Sequence, residues 1–331
     1  MSMFRKIMMR GLSVLGLAPF LVRKHRKRGA VPILLFHRVS PEPDPFWDPL
    51  PPEAFRDTLR LFARYYRFLP LEALLDEEEL SPDAAFITFD DAFKDVEEYA
   101  VPILGELGFP ATIFVPTGSI DEQKAIWPSL VDRALEKAWD KEEELLQLGN
   151  ERFEIGEMRS MGKEKAGGVV KERIMQAPYE VQMRVRETLI GHGYSERVAP
   201  MSWEGLNALP SSISLGAHTV HHPYLPSLTD EREIENEMRD SKERLESMTS
   251  KKVCSFAYPF GGHDERSRRL AAEYFELAFT TEACHLEKPL GKEGSALHAL
   301  PRRDVQDVDP HEALLRTNGF HQYLGRVLKG K

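Results

Sequence analysis

The chain has few cysteines, no long apolar run and no repeats, and each absence excludes a class of protein. Only Cys254 and Cys284 occur in 331 residues, and neither lies in C-x-x-C spacing. A disulfide scaffold and a cysteine-based zinc or redox motif are therefore excluded. We expect both cysteines to be small core residues in a reducing compartment, with a single disulfide as the alternative. The lack of internal repeats and low-complexity segments excludes a solenoid.

The amino-terminal apolar run, GLSVLGLAPFLV, has 12 residues between Arg10 and Arg23. A membrane span needs about 20, so this run is too short. A basic cluster, RKHRKRG, follows the run at once. A signal peptide carries its positive charge before the apolar stretch and has a small-residue cleavage site after it. The sequence therefore predicts a cytoplasmic protein.

Charge is unevenly distributed along the chain. Residues 1–30 contain eight Lys or Arg and no Asp or Glu, whereas residues 31–331 contain 36 basic and 53 acidic residues. An acidic body does not match a nucleic-acid surface, so no nucleic-acid partner is expected. The basic head matches an anionic membrane surface, which residues 1–28 would contact on the inner face of the cell membrane.

The amino-terminal segment also has an amphipathic pattern typical of an interfacial helix over residues 3–18. Its apolar face comprises Phe4, Ile7, Met8, Gly11, Val14, Leu15 and Ala18. Pro19 is expected to end or kink this helix because it cannot donate a backbone hydrogen bond. A basic disordered tail and a helix docked on the body are the alternatives.

The composition, 42% hydrophobic and 29% charged, is that of a globular protein with a sizeable core. The length fits two domains or a single α/β barrel with an insertion. Apolar runs typical of buried strands recur as VPILLFH, AAFITFDD, ATIFVPT, SISLGAHT, CSFAYPF and ELAFTTE. Helical patterns over residues 52–68, 96–107 and 230–248 alternate with them, which predicts a parallel sheet with its site at the strand ends.

Residues 121–200 are strongly charged and contain no run like those strands. They are expected to form a helical insertion between two barrel units. A lid or substrate-facing subdomain and a solvated excursion are both consistent with this composition.

Two groups of ionisable residues follow strand-like runs. Asp90 and Asp91 stand together in ITFDDAFKD, and three histidines stand in LGAHTVHHPYL. In a helical turn, His218 and His222 would share one face and could meet one cation. Two histidines, one carboxylate and open positions are the composition of a catalytic metal site. An Asp-Asp turn and idle surface histidines are the alternatives.

The TFDD motif, the H-T-x-x-H spacing and FAYPFG, in this order, resemble the motifs of the polysaccharide deacetylase family, the NodB-homology domain of carbohydrate esterase family 4. The resemblance covers roughly residues 31–120 and 200–305. It implies an α/β fold, a distorted (β/α)7-type barrel over residues 31–331 with the helical insertion at about 121–200. It also implies a divalent metal, with Zn²⁺ as the first choice, that serves to remove acetyl groups from N-acetylhexosamines.

The resemblance also implies a role for each matching residue. Asp90 would be the general base, and Asp91, His218 and His222 would be the metal ligands, which leaves His221 without a role. The backbone N–H of Phe260 would complete an oxyanion hole.

Two motifs depart from the family pattern. Where the family usually has an Arg that orients the catalytic Asp, this chain has Ala257. We assign that role to Arg302, because a branch of the family that resembles this chain has an Arg at this position. Arg303 is the alternative. A third possibility is that Arg302 is a surface arginine on a strand with no role in the site.

The family's last motif, Leu-x-His, is absent near the carboxyl terminus, where His311 and His321 lack that pattern. Leu35-Phe36-His37 has it, and the first and last strands of a closed barrel are neighbours. His37 is therefore the predicted general acid, against a histidine that merely caps local structure.

The predicted function is a metal-dependent hydrolase that removes N-acetyl groups from a glycan of cell-envelope or exopolysaccharide biosynthesis. One alternative is a deformylase or deacetylase of a lipid-linked aminosugar, which the basic head favours. The other is a catalytically silent sugar-binding barrel.

Overall fold

The described part of the chain, which we take from a computed structural model, is built around ten short strands. The structure describes residues 11, 13–76, 80–193, 199–286, 296–306 and 308–320. The strands are β1 (Ile33–Phe36), β2 (Arg67–Phe68), β3 (Ala84–Phe89), β4 (Ala111–Val115), β5 (Leu145–Leu148), β6 (Glu151–Glu154), β7 (Ile213–Ala217), β8 (Ser255–Ala257), β9 (Leu277–Phe279) and β10 (Arg303–Asp304). Each of the six apolar runs forms one of these strands.

Eight strands pair in one parallel sheet, in the order β10-β1-β3-β4-β7-β8-β9 with β2 beside β3. Leu34 of β1 lies opposite Ile87 of β3 on one side and Arg303 of β10 on the other. An isolated parallel bridge pairs Phe279 of β9, at one end of this order, with Leu300, which precedes β10 at the other end. The predicted distorted (β/α)7-type barrel is confirmed, and the carboxyl ends of all its strands lie at one edge.

Twelve α-helices lie in the described part of the chain. They are α1 (Ala18–Arg26), α2 (Pro52–Phe62), α3 (Val101–Leu107), α4 (Thr117–Glu122), α5 (Trp127–Asp140), α6 (Ile155–Met158), α7 (Lys163–Met175), α8 (Tyr179–Gly191), α9 (Trp203–Ala208), α10 (Glu231–Thr249), α11 (Glu265–Tyr274) and α12 (Pro310–Thr317). π-helical turns, Ser13–Leu17 and Val96–Ala100, lead into α1 and α3. Short 3₁₀ turns are Leu71–Leu75, Arg159–Met161, Leu225–Ser227, Pro259–Gly261 and Ala296–His298.

Local sequence explains where several helices begin. Proline stands in the first turn of α2, α5 and α12, where its missing N–H has no intrahelical partner to lose. Asp264 caps α11 by accepting a hydrogen bond from the backbone N–H of Ser267, and the Ser267 hydroxyl in turn accepts from the backbone N–H of Asp264.

The strands are buried on both faces. Leu34 and Phe36 belong to the apolar cluster that includes Phe55 of α2, whereas Ile33 lies in a second cluster with Phe114. Alternate residues of a strand point to opposite faces. The continuous apolar runs, in place of strict alternation, are therefore what a parallel sheet covered on both sides requires.

The segment between β4 and β7 has an apolar core of its own, formed by α5, α7, α8 and the strands β5 and β6. The expected helical insertion at about 121–200 consists mainly of helices, and β5 and β6 add one antiparallel hairpin to it. Gly149, at a φ of 61°, and Asn150 make its two-residue turn. Such a Gly-Asn pair is a hairpin signal, which the surrounding charges concealed.

The amino-terminal segment is docked on the body from Ala18 onward. Ala18, Leu21 and Val22 of α1 are buried in the main core, and Pro19 stands in its first turn, so it begins a helix where it was expected to end one. Residues 3–10 and 12, which are more than half of the predicted interfacial helix over residues 3–18, lie outside the described residues. Ala18–Arg26 thus corresponds to the alternative of a helix docked on the body. Among the described helices, none is long and apolar enough to cross a membrane.

Neither cysteine takes part in a disulfide, so the alternative of a disulfide does not apply. Cys254 is half-buried and Cys284 is exposed. The expectation of two core residues is therefore wrong, because Cys284 lies on the exposed segment that follows β9.

Candidate active site

The predicted site residues meet at the carboxyl edge of the sheet. His37 follows β1, Asp90 and Asp91 follow β3, and His218 follows β7. These four side chains, with His222 and Phe260, line one cavity of about 580 Å³. Its volume is that of a small-molecule site.

Asp91, His218 and His222 form a buried cluster whose potential ligand atoms all lie within 4.8 Å of one another. Asp91 Oδ1 lies 3.4 Å from His218 Nε2 and 3.2 Å from His222 Nε2. Among the described residues, this carboxylate oxygen has no hydrogen-bond partner. A buried acceptor left without a donor is costly. A divalent cation between these atoms would satisfy it, so the three residues fit a metal.

The neighbourhood of His218 fixes which of its nitrogens faces Asp91. Its Nδ1 lies 2.6 Å from the carbonyl oxygen of Ala257. Because a carbonyl can only accept, Nδ1 carries a proton, and Nε2 is the nitrogen that faces Asp91 and is placed to bind a metal. This hydrogen bond from the second ring nitrogen is typical of histidines that bind metals.

The two histidines come together through a loop, not through the helical turn assumed from their spacing. Residues 218–222 are not helical, and Thr219 and His222 have φ values of 67° and 59°. Left-handed backbone is uncommon for residues other than glycine and is unfavourable for a β-branched one. The expected helical turn is therefore wrong, and a loop takes its place. The backbone N–H of His222 closes this loop by donating to Thr219 Oγ1 at 3.0 Å.

A left-handed turn also separates the two aspartates. Asp91 and Ala92 have φ values of 70° and 48°. Asp91 thereby faces the histidines, while Asp90 faces Arg302. The two adjacent carboxylates can therefore have different partners.

Asp90 is held by Arg302 in a bidentate pair. The guanidinium donates from Nη1 to Oδ1 at 2.6 Å and from Nη2 to Oδ2 at 2.7 Å. Burial alone would raise the pKa of Asp90, but the charges of Arg302 and His218 outweigh burial and hold the pKa below its ordinary value. Asp90 is therefore ionised at neutral pH. Arg303, the alternative, is paired in β10 beside Leu34 and makes no contact with Asp90 among those described.

Two of the three metal-ligand candidates, Asp91 and His222, have protonation states suited to a cation. Burial would raise the pKa of Asp91, but the neighbouring imidazoles of His218 and His222 hold it well below its ordinary value. Burial lowers the pKa of His222. Burial also acts to lower the pKa of His218, but the charges of Asp90 and Asp91 raise it above its ordinary value. Asp91 is thus an anion and His222 a neutral imidazole, the forms that bind metals.

His37 lies beside the aromatic wall of the cavity. Its ring centroid is 4.9 Å from that of Trp47, and Phe46 lines the same cavity. The loop that carries these aromatic residues is anchored by Arg38, which lies 2.9 Å from Asp44 and 3.0 Å from Asp95. His37 therefore lines the cavity from the side of this anchored loop.

Phe260 stands in a tight turn after β8, with a φ of 58°. Its ring packs 4.8 Å from His222 and 5.6 Å from Trp127, centroid to centroid. The side chain is thus occupied by packing, which leaves the backbone as the part of Phe260 available to a ligand.

Comparison with known protein families agrees with this geometry. The sequence model of one family, polysaccharide deacetylase, matches residues 77–157 and 188–275. The protein belongs to the polysaccharide deacetylase family. A search of curated proteins gives no match to the chain.

Solved structures share the fold of this polysaccharide deacetylase. The deacetylase PplD from Streptococcus pyogenes, in complex with acetate, is 21% identical with a TM-score of 0.58, over 87% of this chain and 97% of that one. IcaB from Ammonifex degensii is 17% identical with a TM-score of 0.55, over the same shares. A polysaccharide deacetylase from Bacillus cereus is 19% identical with a TM-score of 0.52, over 86% of this chain and 69% of that one.

The insertion supplies a wall of the deacetylase cavity that sequence reasoning did not identify. Asp132 of α5 and Lys171 of α7 line it and form an ion pair, with Asp132 Oδ1 2.8 Å from Lys171 Nζ. Burial raises the pKa of Asp132 to about 6, although the charge of Lys171 opposes the rise. Phe46 and Trp47 were also missed, because they stand in a Pro-rich loop without periodicity. His221, which was given no role, points away from the cavity residues to Glu237.

Proposed function

We propose that the protein is a metal-dependent hydrolase that removes N-acetyl groups from a glycan containing N-acetylhexosamine, in cell-envelope or exopolysaccharide biosynthesis. The observation that carries the proposal is one cavity that contains both the Asp91–His218–His222 cluster and the Arg302-held Asp90. Family membership supports hydrolytic deacetylation of a glycan.

Asp91, His218 and His222 would hold the metal, for which we propose Zn²⁺. When bound, zinc lowers the pKa of a water molecule from 15.7 to about 7 and polarises an acyl oxygen. Two imidazoles and one carboxylate with open positions suit this metal.

Asp90 would be the general base. Its low pKa keeps it ionised, and the bidentate contact with Arg302 fixes the plane of its carboxylate. A base that cannot turn holds the proton it takes at a defined position beside Asp91. Arg302 acts here as a positioning residue.

His37 would be the general acid. The departing sugar amine needs a proton, and His37 faces the same cavity as Asp90. The ring of Trp47 packs edge-on against the His37 ring at 4.9 Å between centroids. Because His37 must be protonated while Asp90 is ionised, activity is expected to fall on both sides of a neutral optimum.

The backbone N–H of Phe260 would donate to the developing oxyanion. A contact of this kind contributes about 2.7–4 kcal/mol to the transition state. The left-handed turn at Phe260 and the packing of its ring hold this peptide in place.

A lipid-linked aminosugar is the second candidate substrate, acted on by deformylation or deacetylation at the cytoplasmic face of the membrane. The basic residues among residues 1–28 favour attraction to anionic lipid, because each cation near such a surface contributes about 1 kcal/mol of binding free energy. However, the last turn of α1 lies near Asn318, after α12, and its chain continues directly into the amino end of β1. This end of the barrel is opposite the candidate site, so a membrane bound there would not face the cavity.

The membrane proposal can be tested without removing α1, whose apolar face belongs to the core. Arg23, Lys27 and Arg28 are exposed, so their replacement by Glu is expected to leave the fold intact. We expect sedimentation with anionic liposomes to be lost in this triple variant and weakened by salt in the natural protein. Equal sedimentation of both would remove the membrane from the proposal.

The proposed reaction is tested by a mass-spectrometric screen of acylated aminosugars, both oligomeric and lipid-linked, with zinc-loaded protein. Replacement of one acetyl group by hydrogen is expected, and replacement of formyl would favour the second candidate. If no substrate in the panel changes, while the same sugars bind, the silent sugar-binding barrel becomes the better account.

A further inference from the structure

The loop that carries His222 has a strained backbone, and the strain must be held by contacts outside the loop. Thr219 and His222, both non-glycine, have left-handed φ values of 67° and 59°. Such a residue persists only where its surroundings over-determine its conformation.

Three of the hydrogen bonds that hold this loop from outside are made to Glu237 of α10, a residue with only 3% of its surface exposed. Its Oε2 accepts hydrogen bonds from the backbone N–H groups of Val220 and His221, at 2.8 and 2.9 Å. Its Oε1 accepts from His221 Nδ1 at 2.7 Å and from the hydroxyl of Tyr179 at 2.9 Å. One buried carboxylate therefore receives four hydrogen bonds, three of them from the two residues between Thr219 and His222.

Two further contacts show how closely the loop is fixed. The Gly118 N–H donates to the Val220 carbonyl at 2.9 Å, and a Cβ on Gly118 would lie 2.6 Å from that oxygen. Trp127 donates from Nε1 to the carbonyl oxygen of His222 at 2.9 Å. Trp127 and Tyr179 both belong to the insertion, so the insertion takes part in holding the loop.

We infer that Glu237 is a positioning residue for the metal site, which holds the His218–His222 loop in its strained conformation and links it through Tyr179 to the insertion. The inference rests on the proposed function in that it takes Asp91, His218 and His222 as metal ligands. Glu237 contacts none of these three side chains among the contacts described, so its effect is on their placement and not on the chemistry.

Zinc affinity, measured against a competing chelator on the full chain, tests the inference. Glu237→Leu keeps the bulk and removes all four acceptors, and we expect the dissociation constant for zinc to rise about 10–100-fold. Glu237→Gln retains an oxygen for the two backbone N–H groups and is expected to recover most of the affinity. Glu243→Leu, at an exposed position of the same helix, is the matched control and should bind zinc as the natural protein does.

Circular dichroism and thermal unfolding establish whether each variant is folded. If Glu237→Leu does not fold, Glu237→Gln and Tyr179→Phe test the inference in its place. Each removes only part of the contact, so each is expected to fold and to bind zinc measurably more weakly than the natural protein does. Saturating zinc should restore turnover in the folded variants, as expected of a positioning residue.

Two outcomes are distinguishable. Zinc binding by the natural protein together with unchanged affinity in folded Glu237→Leu, or in both partial variants, would overturn the role of Glu237. Failure of the natural protein to bind zinc would instead overturn the proposed function.

Discussion

Arg302 and Asp90 form two parallel hydrogen bonds, at 2.6 and 2.7 Å, although 212 residues separate them in the chain. Arg302 is fully buried, with its guanidinium 5.2 Å from the ring centroid of Phe114 and 6.0 Å from that of Phe279. The cation has no room to leave the carboxylate. The pair therefore both orients Asp90 and keeps it ionised.

Replacement of Arg302 by Met is expected to move the acid limb of the kcat/KM profile to higher pH. Without the cation, burial is left to raise the pKa of Asp90, and a protonated Asp90 cannot act as base. Loss of one partner of a buried ion pair also costs about 3–5 kcal/mol of stability. The kcat/KM profile should be measured from about pH 5 to about pH 9, so that it includes both the acid limb and the alkaline limb.

Arg303→Met is the matched control for that experiment, since Arg303 is the next residue and does not contact Asp90 among the described contacts. Its profile should overlay that of the natural protein. An unshifted acid limb in Arg302→Met would mean that Arg302 does not control the protonation of the base.

Asp90→Asn is expected to retain zinc and lose turnover. The amide keeps the shape of the side chain but cannot accept a proton, and Asp90 is not among the three clustered ligands. Native mass spectrometry and acyl-release assays on the same preparation give the two readouts. Loss of zinc together with activity would mean that the roles of Asp90 and Asp91 are exchanged.

Asp132→Asn is expected to change the pH dependence of stability. The folded pKa of Asp132, about 6, is raised above its unfolded value of 3.8. The folded state therefore binds the proton more tightly, and the contribution of Asp132 to stability is lost as the pH rises toward the folded pKa. From about pH 4.5 to pH 7 this loss is about 2 kcal/mol.

Urea unfolding at these two pH values checks the Asp132 prediction. At each pH the free energy of unfolding of the natural protein is subtracted from that of Asp132→Asn. This difference should be about 2 kcal/mol larger at pH 7 than at pH 4.5. A difference that is the same at both pH values would show that Asp132 is not shifted by burial.

Leu21→Ala is expected to destabilise the whole protein by about 2–5 kcal/mol, the usual cost of truncating a buried leucine. Leu21 is 1% exposed and belongs to the main core. Phe20→Ala, at a neighbouring side chain that is 51% exposed, should cost much less. Equal, small effects in thermal unfolding would mean that α1 is not part of the cooperative unit.

Much of the barrel could be predicted from the sequence because buried parallel strands leave continuous apolar runs. ILLF of β1 and AAFITF of β3 are fully buried and were recognised for that reason. β10 has only two residues, Arg303 and Asp304, and no apolar pattern. Its place depends on pairing with β1 across the barrel, which local sequence does not encode.

The site could be predicted only where residues of one function stand together in the sequence. Asp90 with Asp91, and His218 with His222, are adjacent or nearly so, and Arg302 was found through its resemblance to a family branch. Lys171 and Glu237 look like ordinary charged residues of surface helices. Their burial and partners arise from the packing of the insertion and of α10 against the loop, which no local pattern records.

The most direct test of the central claim is a titration of metal-free protein with zinc while release of the acyl group from an aminosugar substrate is followed. The account predicts no release without metal, a rise to a plateau at one zinc per chain, and neither binding nor release in Asp91→Ala. Release that is complete in the metal-free protein, or that is unchanged in Asp91→Ala, would contradict it.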